Sequence, residues 1–165
     1  MQENTEITVS CYTKANLIRE YVTEDAYQIF QVVSGSGFVL LEKHLSFLTA
    51  GDLIFLKPGN RAVWSLSGRS ILHYCSVQPL YFEQSPYIIK LFKQDSIFNF
   101  RVIVGNLLRG QAATIGVLFQ MIRDEIDGPH DDKKDAILIH LQMLLLLAHR
   151  IGPAGRMVDP EEISR

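Results

Sequence analysis

Short apolar runs, separated by turn residues, fill the chain between Tyr27 and Val77. The runs are about four to eight residues long, as is usual for strands. Glycine adopts positive φ without steric cost, and proline cannot continue a central strand. This alternation of runs and turns predicts an all-β sandwich or barrel. The turn residues are Gly35-Ser36-Gly37, Gly51-Asp52, Pro58-Gly59 and Ser67-Gly68.

The runs predict six strands and one short helix. The uninterrupted apolar run Leu53–Leu56 predicts a strand that is buried on both faces. Residues 11–22 are compatible with an edge strand or with short irregular pieces, and residues 1–10 show only weak patterning. Ser85 and Pro86 have the N-cap and first-turn signature of a short helix that reaches about Lys93. The predicted strands are 27–33, 38–42, 45–48, 53–56, 62–66 and 71–77.

The period of the pattern changes from strand to helix after residue 105. Two apolar stripes recur at spacings of three and four residues, which predicts two amphipathic helices. Gly128-Pro129 ends the first helix, and Asp131 is a plausible N-cap for the second. The first stripe is Leu108, Ala112, Ile115, Phe119, Ile122 and Ile126, and the second is Ile137, Leu141, Leu144, Ala148 and Ile151.

The second helix is apolar on its opposite face as well, through Ile139, Met143 and Leu146. A helix with two apolar stripes needs a partner on both sides. Either it is fully buried within one subunit, or one stripe faces a second copy across a two-fold axis. We expect the second arrangement, a homodimer with these three residues in its interface.

The C-terminal stretch has the composition of a domain boundary. Gly152 to Gly155 form a linker by composition, and Asp159-Pro160-Glu161-Glu162 has the pattern of a helix start. Either the chain has a frayed natural end, or it is a piece of a longer protein. We therefore expect a barrel with a short helix in 1–105, a two-helix dimerisation segment in 106–152, and a linker with the start of a truncated helix in 153–165.

Composition narrows the function classes. The formal net charge of −2 provides no basic excess for binding phosphates. The two cysteines, Cys11 and Cys75, do not make a disulfide framework, and no signal peptide precedes them, so we expect a reduced, cytoplasmic setting. The most apolar stretch, 136–151, is too short and too polar to span a bilayer, which needs about 20 apolar residues. We expect no membrane partner.

The order of motifs resembles a known family. Three motifs, taken in order, resemble the cupin barrel. They are Tyr27-Gln28-Ile29 followed after five residues by Gly35-Ser36-Gly37, then residues 48–53, then Lys57-Pro58-Gly59. With two amphipathic helices and a linker added, the chain is similar to the N-terminal effector-binding and dimerisation domain of AraC-type transcription regulators. The resemblance implies a mainly β fold with C-terminal α, a cupin-like double-stranded β-barrel followed by two antiparallel helices.

The function that the resemblance implies is regulatory. It implies a bacterial transcription regulator that binds a small-molecule effector, a sugar or other small metabolite, in the barrel. Contact with DNA is expected only through a domain absent from this chain. The alternatives are a free-standing cupin enzyme, such as an isomerase or dioxygenase, and a barrel that serves only for dimerisation. We expect no enzyme activity.

Many cupins hold a metal ion, and the resemblance gives the positions to inspect. They fall on Val22, Glu24 and Gln28, with the fourth at or near Ala62. Valine, glutamine and alanine do not make a metal site, which needs three or four His, Cys or carboxylate ligands. No nucleophile elbow, phosphate-binding loop or CxxC motif is present. We therefore expect no catalytic residue, no metal and no cofactor.

The barrel interior supplies the candidate ligand contacts. Side chains alternate along a strand, so the parity of the cupin positions implies that Gln28 and Phe30 point inward. Trp64 is expected to share that interior, and His73 is a further candidate whose parity is open. Aromatic walls with one or two polar groups suit a small-molecule pocket. The alternative is that these side chains simply fill the barrel core.

Overall fold

The computed structural model of the chain describes residues 7–14, 17–22, 25–41, 43–93, 102–103 and 109–155. The strands are β1 (Ile7–Lys14), β2 (Leu17–Val22), β3 (Tyr27–Ser34), β4 (Gly37–Leu41), β5 (His44–Leu48), β6 (Leu53–Leu56), β7 (Arg61–Leu66), β8 (Ser70–Val77) and β9 (Val102–Ile103). The helices are α1 (Pro79–Phe82), α2 (Pro86–Lys93), α3 (Arg109–Asp127) and α4 (Lys133–Gly155).

The strands form two antiparallel sheets. Sheet A has the order β1-β8-β3-β6-β9, and sheet B has the order β2-β7-β4-β5. Consecutive strands such as β3 and β4 lie in different sheets, so the chain crosses repeatedly between them. We refer to the two facing sheets as the barrel. The six predicted strands are all present, and the fold class predicted from the sequence is confirmed.

One hydrophobic core lies between the two sheets, and we call it the inner core. It is built from alternate residues of β3, β6 and β8 on one side and of β4, β5 and β7 on the other. Its members are all at most 8% exposed. They are Phe30, Val32, Val39, Leu41, Leu48, Ile54, Leu56, Ala62, Trp64, Leu66, Leu72 and Tyr74.

A second core lies on the other face of sheet A, where the helices cover it. Ile29, Phe55 and Cys75 pack there against residues of α1 to α4. Strand β6 contributes to both cores, because Leu53 and Phe55 face the helices while Ile54 and Leu56 face sheet B. The prediction that this strand is buried on both faces is confirmed.

The turns hold the strands close together at glycines. Gly35 has φ +90°, and a Cβ atom at Gly37 would lie 2.2 Å from the carbonyl oxygen of Ser65. No side chain fits at that distance, so glycine is required where β4 begins. At the next turn, Asp52 Oδ2 accepts a hydrogen bond from the Thr49 amide at 2.8 Å. Both turns were predicted from their glycines.

Three sequence-based assignments need correction. Strand β1 begins at Ile7, within the stretch that shows only weak patterning. Helix α4 begins at Lys133, so Asp132 rather than Asp131 immediately precedes it. The same helix continues to Gly155, although composition predicts a linker over its last four residues. The predicted helix start at 159–162 lies outside the described residues, and the division into domains stays a prediction.

Candidate functional site

Three aromatic rings form the centre of the inner core. Phe30 of β3 packs against Trp64 of β7 with a centroid distance of 4.8 Å and against Tyr74 of β8 at 4.9 Å. Both pairs are tilted, an arrangement that aromatic rings prefer over face-to-face stacking. The rings therefore join the two sheets through one continuous aromatic contact.

Gln28 adds a polar group to this aromatic cluster. It lies two residues before Phe30 on the same face of β3, and its Nε2 donates a hydrogen bond to Tyr74 Oη at 2.8 Å. Both side chains are buried, at 9% exposure for Gln28 and 8% for Tyr74. Gln28, Phe30 and Trp64 thus share the barrel interior, while ligand contact by these residues stays a prediction.

His73 lies on the opposite face of sheet A, so its assignment to the barrel interior is wrong. Its ring stacks on Phe119 of α3 at a centroid distance of 5.4 Å and an interplanar angle of 14°. The register explains the error. Tyr74 pairs with Phe30 and faces inward, and its neighbour His73 pairs with Gln31 and faces the helices. Burial lowers the pKa of His73, and Arg123 lowers it further.

The strand that carries Gln28 and Phe30 also contacts helix α3 directly. Gln31 points to the helix side and donates from Nε2 to the carbonyl oxygen of Ala112 at 2.8 Å. One turn further along, Gly116 lies beside the same amide, and a Cβ atom there would be 3.4 Å from Gln31 Oε1. A Cβ atom at Gly116 would therefore come into van der Waals contact with this amide. The Gln31 amide is thus a direct polar contact between β3 and α3.

The cupin metal positions offer few side chains that could hold an ion. Val22 and Ala62 have no side-chain donor atom, and the amide oxygen of Gln28 is at most one ligand where a metal site needs three or four. In the part of the chain that the structure describes, no group of three His, Cys, Asp or Glu residues is placed to hold an ion. Glu24 lies outside the described residues.

Cys75 is a buried free thiol within the core that sheet A shares with the helices. Burial raises its pKa to about 12. At neutral pH this cysteine is therefore a thiol, and a thiol is a poor nucleophile compared with a thiolate.

The outer face of the helix pair exposes apolar side chains. On α4, Ile139 is 62% exposed and Met143 is 47% exposed, while Leu146 is partly buried. Val117 and Met121 of α3 are exposed too, which the sequence pattern did not single out. The inner stripe of α4, by contrast, is fully packed against α3 and sheet A. None of the described helices is sufficiently long and apolar to traverse a membrane.

The comparisons with solved structures agree with this architecture. The AraC-like transcriptional activator CuxR is similar over 96% of this chain and 56% of its own, with a TM-score of 0.60 and 8% sequence identity. Apo ToxT K231A from Vibrio cholerae is similar over 99% of this chain and 65% of its own, with a TM-score of 0.57 and 14% identity. At such coverage the likeness includes both the sheets and the helices.

A partial likeness to cupins accompanies these two. A cupin protein from Bacteroides fragilis matches 44% of this chain and 64% of its own, with a TM-score of 0.36 and 18% identity. No family model and no curated protein matches the sequence. The fold is thus the one that this chain shares with CuxR and ToxT, and the chain spans less than two thirds of the length of each.

Proposed function

We propose that this chain is the ligand-sensing and dimerisation part of a transcription regulator. In this proposal a small molecule binds in the barrel interior, and α4 pairs two copies of the chain. DNA is contacted only by a domain outside this chain, in keeping with the formal net charge of −2. The chain itself is assigned no catalytic step.

The observation that carries the proposal is the second apolar face of α4. Ile139 and Met143 lie one helical turn apart and remain exposed after the helix has packed its inner stripe. Large exposed apolar side chains in a row mark interaction surfaces. A two-fold axis across this face brings each residue near its own copy and buries both rows at once. The similarity of the whole chain to two AraC-like regulators supports the same reading.

The path from the barrel to the dimer face runs through β3 and α3. Gln28 and Phe30 face the barrel interior on one side of β3, and Gln31 binds the backbone of α3 on the other. Helix α3 then packs along α4. A ligand that favours one position of Phe30 shifts the population of helix arrangements by its differential affinity for them. The spacing of two tethered DNA-binding domains would change accordingly.

The dimerisation proposal is tested by sedimentation equilibrium of the chain at micromolar concentrations. The wild type is expected to be a dimer, and Met143→Glu and Ile139→Glu are expected to be monomers, because each places two like charges in the interface. Leu45→Glu is the matched control. It introduces the same charge at a 65% exposed apolar position on β5, far from α4 in the fold, and should remain dimeric. Dimers that persist in both α4 variants would refute the pairing.

A second candidate is favoured by the tight packing of the inner core, whose members are at most 8% exposed. In that case the barrel only supports dimerisation and binds no ligand. A thermal-shift screen with sugars, aromatic acids and other small metabolites separates the two. A saturable rise in melting temperature that depends on Trp64 and Phe30 supports the sensor. Unchanged melting throughout the screen supports the dimerisation module.

A further inference from the structure

Two polar atoms in the barrel interior have no hydrogen-bond partner. Within the described part of the chain, Gln28 Oε1 and Trp64 Nε1 are buried side-chain atoms without one. One is an acceptor and the other is a donor. About nine in ten buried polar groups in proteins are paired, and buried tryptophan N–H groups usually find an acceptor. An unpaired acceptor and an unpaired donor within one aromatic cluster therefore require an explanation.

The surroundings hold both groups in place. The Gln28 amide is oriented by its bond from Nε2 to Tyr74 Oη, which leaves the oxygen unpaired. The indole of Trp64 is held against Phe30, and Phe30 in turn packs on Tyr74. The acceptor and the donor thus belong to one connected set of four side chains. Preorganised polar groups on an apolar wall are the usual way in which a pocket orients a small ligand.

Burial differs slightly among the four side chains of this set. Gln28 and Tyr74, at 9% and 8% exposure, are more accessible than the 1% exposed Phe30 and Trp64. A flat molecule would suit this interior because aromatic faces pack well on rings such as Phe30 and Trp64.

We propose that the barrel binds a small aromatic or otherwise flat molecule that carries an amide-like donor and acceptor. The ligand carbonyl accepts a hydrogen bond from Trp64 Nε1, and the ligand N–H donates to Gln28 Oε1. This assignment of ligand class rests on the proposed sensor function. Each satisfied hydrogen bond is expected to tighten binding by about five- to tenfold in Kd.

The test uses three matched probes and one spectroscopic signal. Benzamide donates and accepts, acetophenone only accepts, and toluene does neither. Trp64 is the only tryptophan, so the ¹⁵N-labelled chain has a single indole N–H resonance. Titration followed at this resonance should rank benzamide above acetophenone and acetophenone above toluene, each by about five- to tenfold. Benzamide and acetophenone should move the indole proton downfield.

A variant of Gln28 tests the proposed hydrogen bond from the ligand N–H to Gln28 Oε1. Gln28→Leu should lower the affinity for benzamide to that for acetophenone. Acetophenone should still bind this variant more tightly than toluene does. Gln84→Leu, which alters an exposed glutamine next to α1, is the control and should preserve the wild-type ranking. If Gln28→Leu does not fold, the ranking of the three probes on the wild type decides alone.

Equal affinity for toluene and benzamide, or an indole resonance that no probe moves, would overturn the proposal. The failure of the ligand class is distinguishable from the failure of the sensor. If the three probes do not bind while another metabolite raises the melting temperature, the sensor stands and the donor–acceptor class is wrong. If nothing in the metabolite screen binds either, both are wrong.

Discussion

Phe30 offers the sharpest test of the inner core, because the same substitution can be made nearby on an outward-facing residue. Phe30 is 1% exposed and contacts two aromatic rings. Phe38 on β4 is 46% exposed on the outer face of sheet B and contacts one ring, that of Phe47, at 5.2 Å. Phe30→Ala and Phe38→Ala remove the same atoms, so a difference in their effects on stability reports the difference in burial.

The expected difference between the two variants follows from transfer and cavity terms. Truncation of a fully buried phenylalanine to alanine costs about 3–5 kcal/mol of unfolding free energy. At Phe38 roughly half of the ring is already in water, and about 1 kcal/mol is expected from partial burial and one edge contact. Phe30→Ala should thus be the more destabilising by about 2–4 kcal/mol. Domains of this kind have about 5–15 kcal/mol in total, so the variant should fold unless the wild type lies at the lower end of this range.

Urea unfolding followed by far-UV circular dichroism measures both values. The protomer concentration must be equal in all samples, because dimerisation contributes to apparent stability. Similar m-values would show that the extent of unfolding has not changed. Equal costs for the two substitutions, or a cost below about 1 kcal/mol at Phe30, would refute the inner core as described here.

Three further predictions follow from individual sites. Gly37→Ala should lower the melting temperature by several degrees, because its Cβ would meet the Ser65 carbonyl oxygen. Gly110→Ala is the control and should not lower the melting temperature, because no atom lies within 4 Å of the added Cβ. Calorimetry of both variants measures the difference. Because the pKa of His73 is lowered in the folded state, the unfolded chain binds the proton more readily. The contribution of His73 to the free energy of unfolding should therefore be complete above the unfolded-state pKa of about 6.5 and decline as the pH falls below it. Urea titrations between pH 7.5 and 5 would contradict this if the wild type lost no more unfolding free energy than His73→Gln. In a Cys11→Ser background, Cys75 should react with a thiol reagent only on unfolding, because its pKa is raised to about 12; rapid reaction in the native state would show that the thiol is accessible.

The strands that pack on both sides were the easiest to predict from the sequence. The run Leu53–Leu56 has no polar residue, and a strand of this kind has to be covered on each face. The turns at Gly35 and Gly51 were equally clear, because positive φ strongly favours glycine. Phe30 was placed in the interior correctly through the parity that the cupin resemblance implied, and Trp64 lies on a strand whose burial alternates regularly.

What the sequence did not reveal depends on pairing between distant strands. His73 and Tyr74 are adjacent, and only the register with β3 determines which of them faces inward. A shift in that register between Val32 and Ser34 makes the alternation harder to extrapolate along the chain. Strand β1 forms through its pairing with β8, from Ile7 opposite Val77 to Lys14 opposite Ser70, and its own residues have no clear pattern. Propensity alone does not predict such an edge strand.

The apolar faces illustrate the same limit. The two stripes of α4 were visible as a pattern, and the structure shows that Ile139 and Met143 remain exposed while Leu146 is partly buried. The contribution of Val117 and Met121 from α3 was missed, because the inward stripe of that helix dominates its pattern. Which apolar side chains of the two helices stay exposed becomes apparent only once α3 and α4 are packed together.

The central claim is that α4 joins two copies of this chain, and the molar mass of the chain in solution tests it most directly. Sedimentation equilibrium at micromolar concentration should give twice the chain mass of 18.7 kDa for the wild type and the single chain mass for Met143→Glu. A wild type that sediments as a single chain at that concentration would contradict the account.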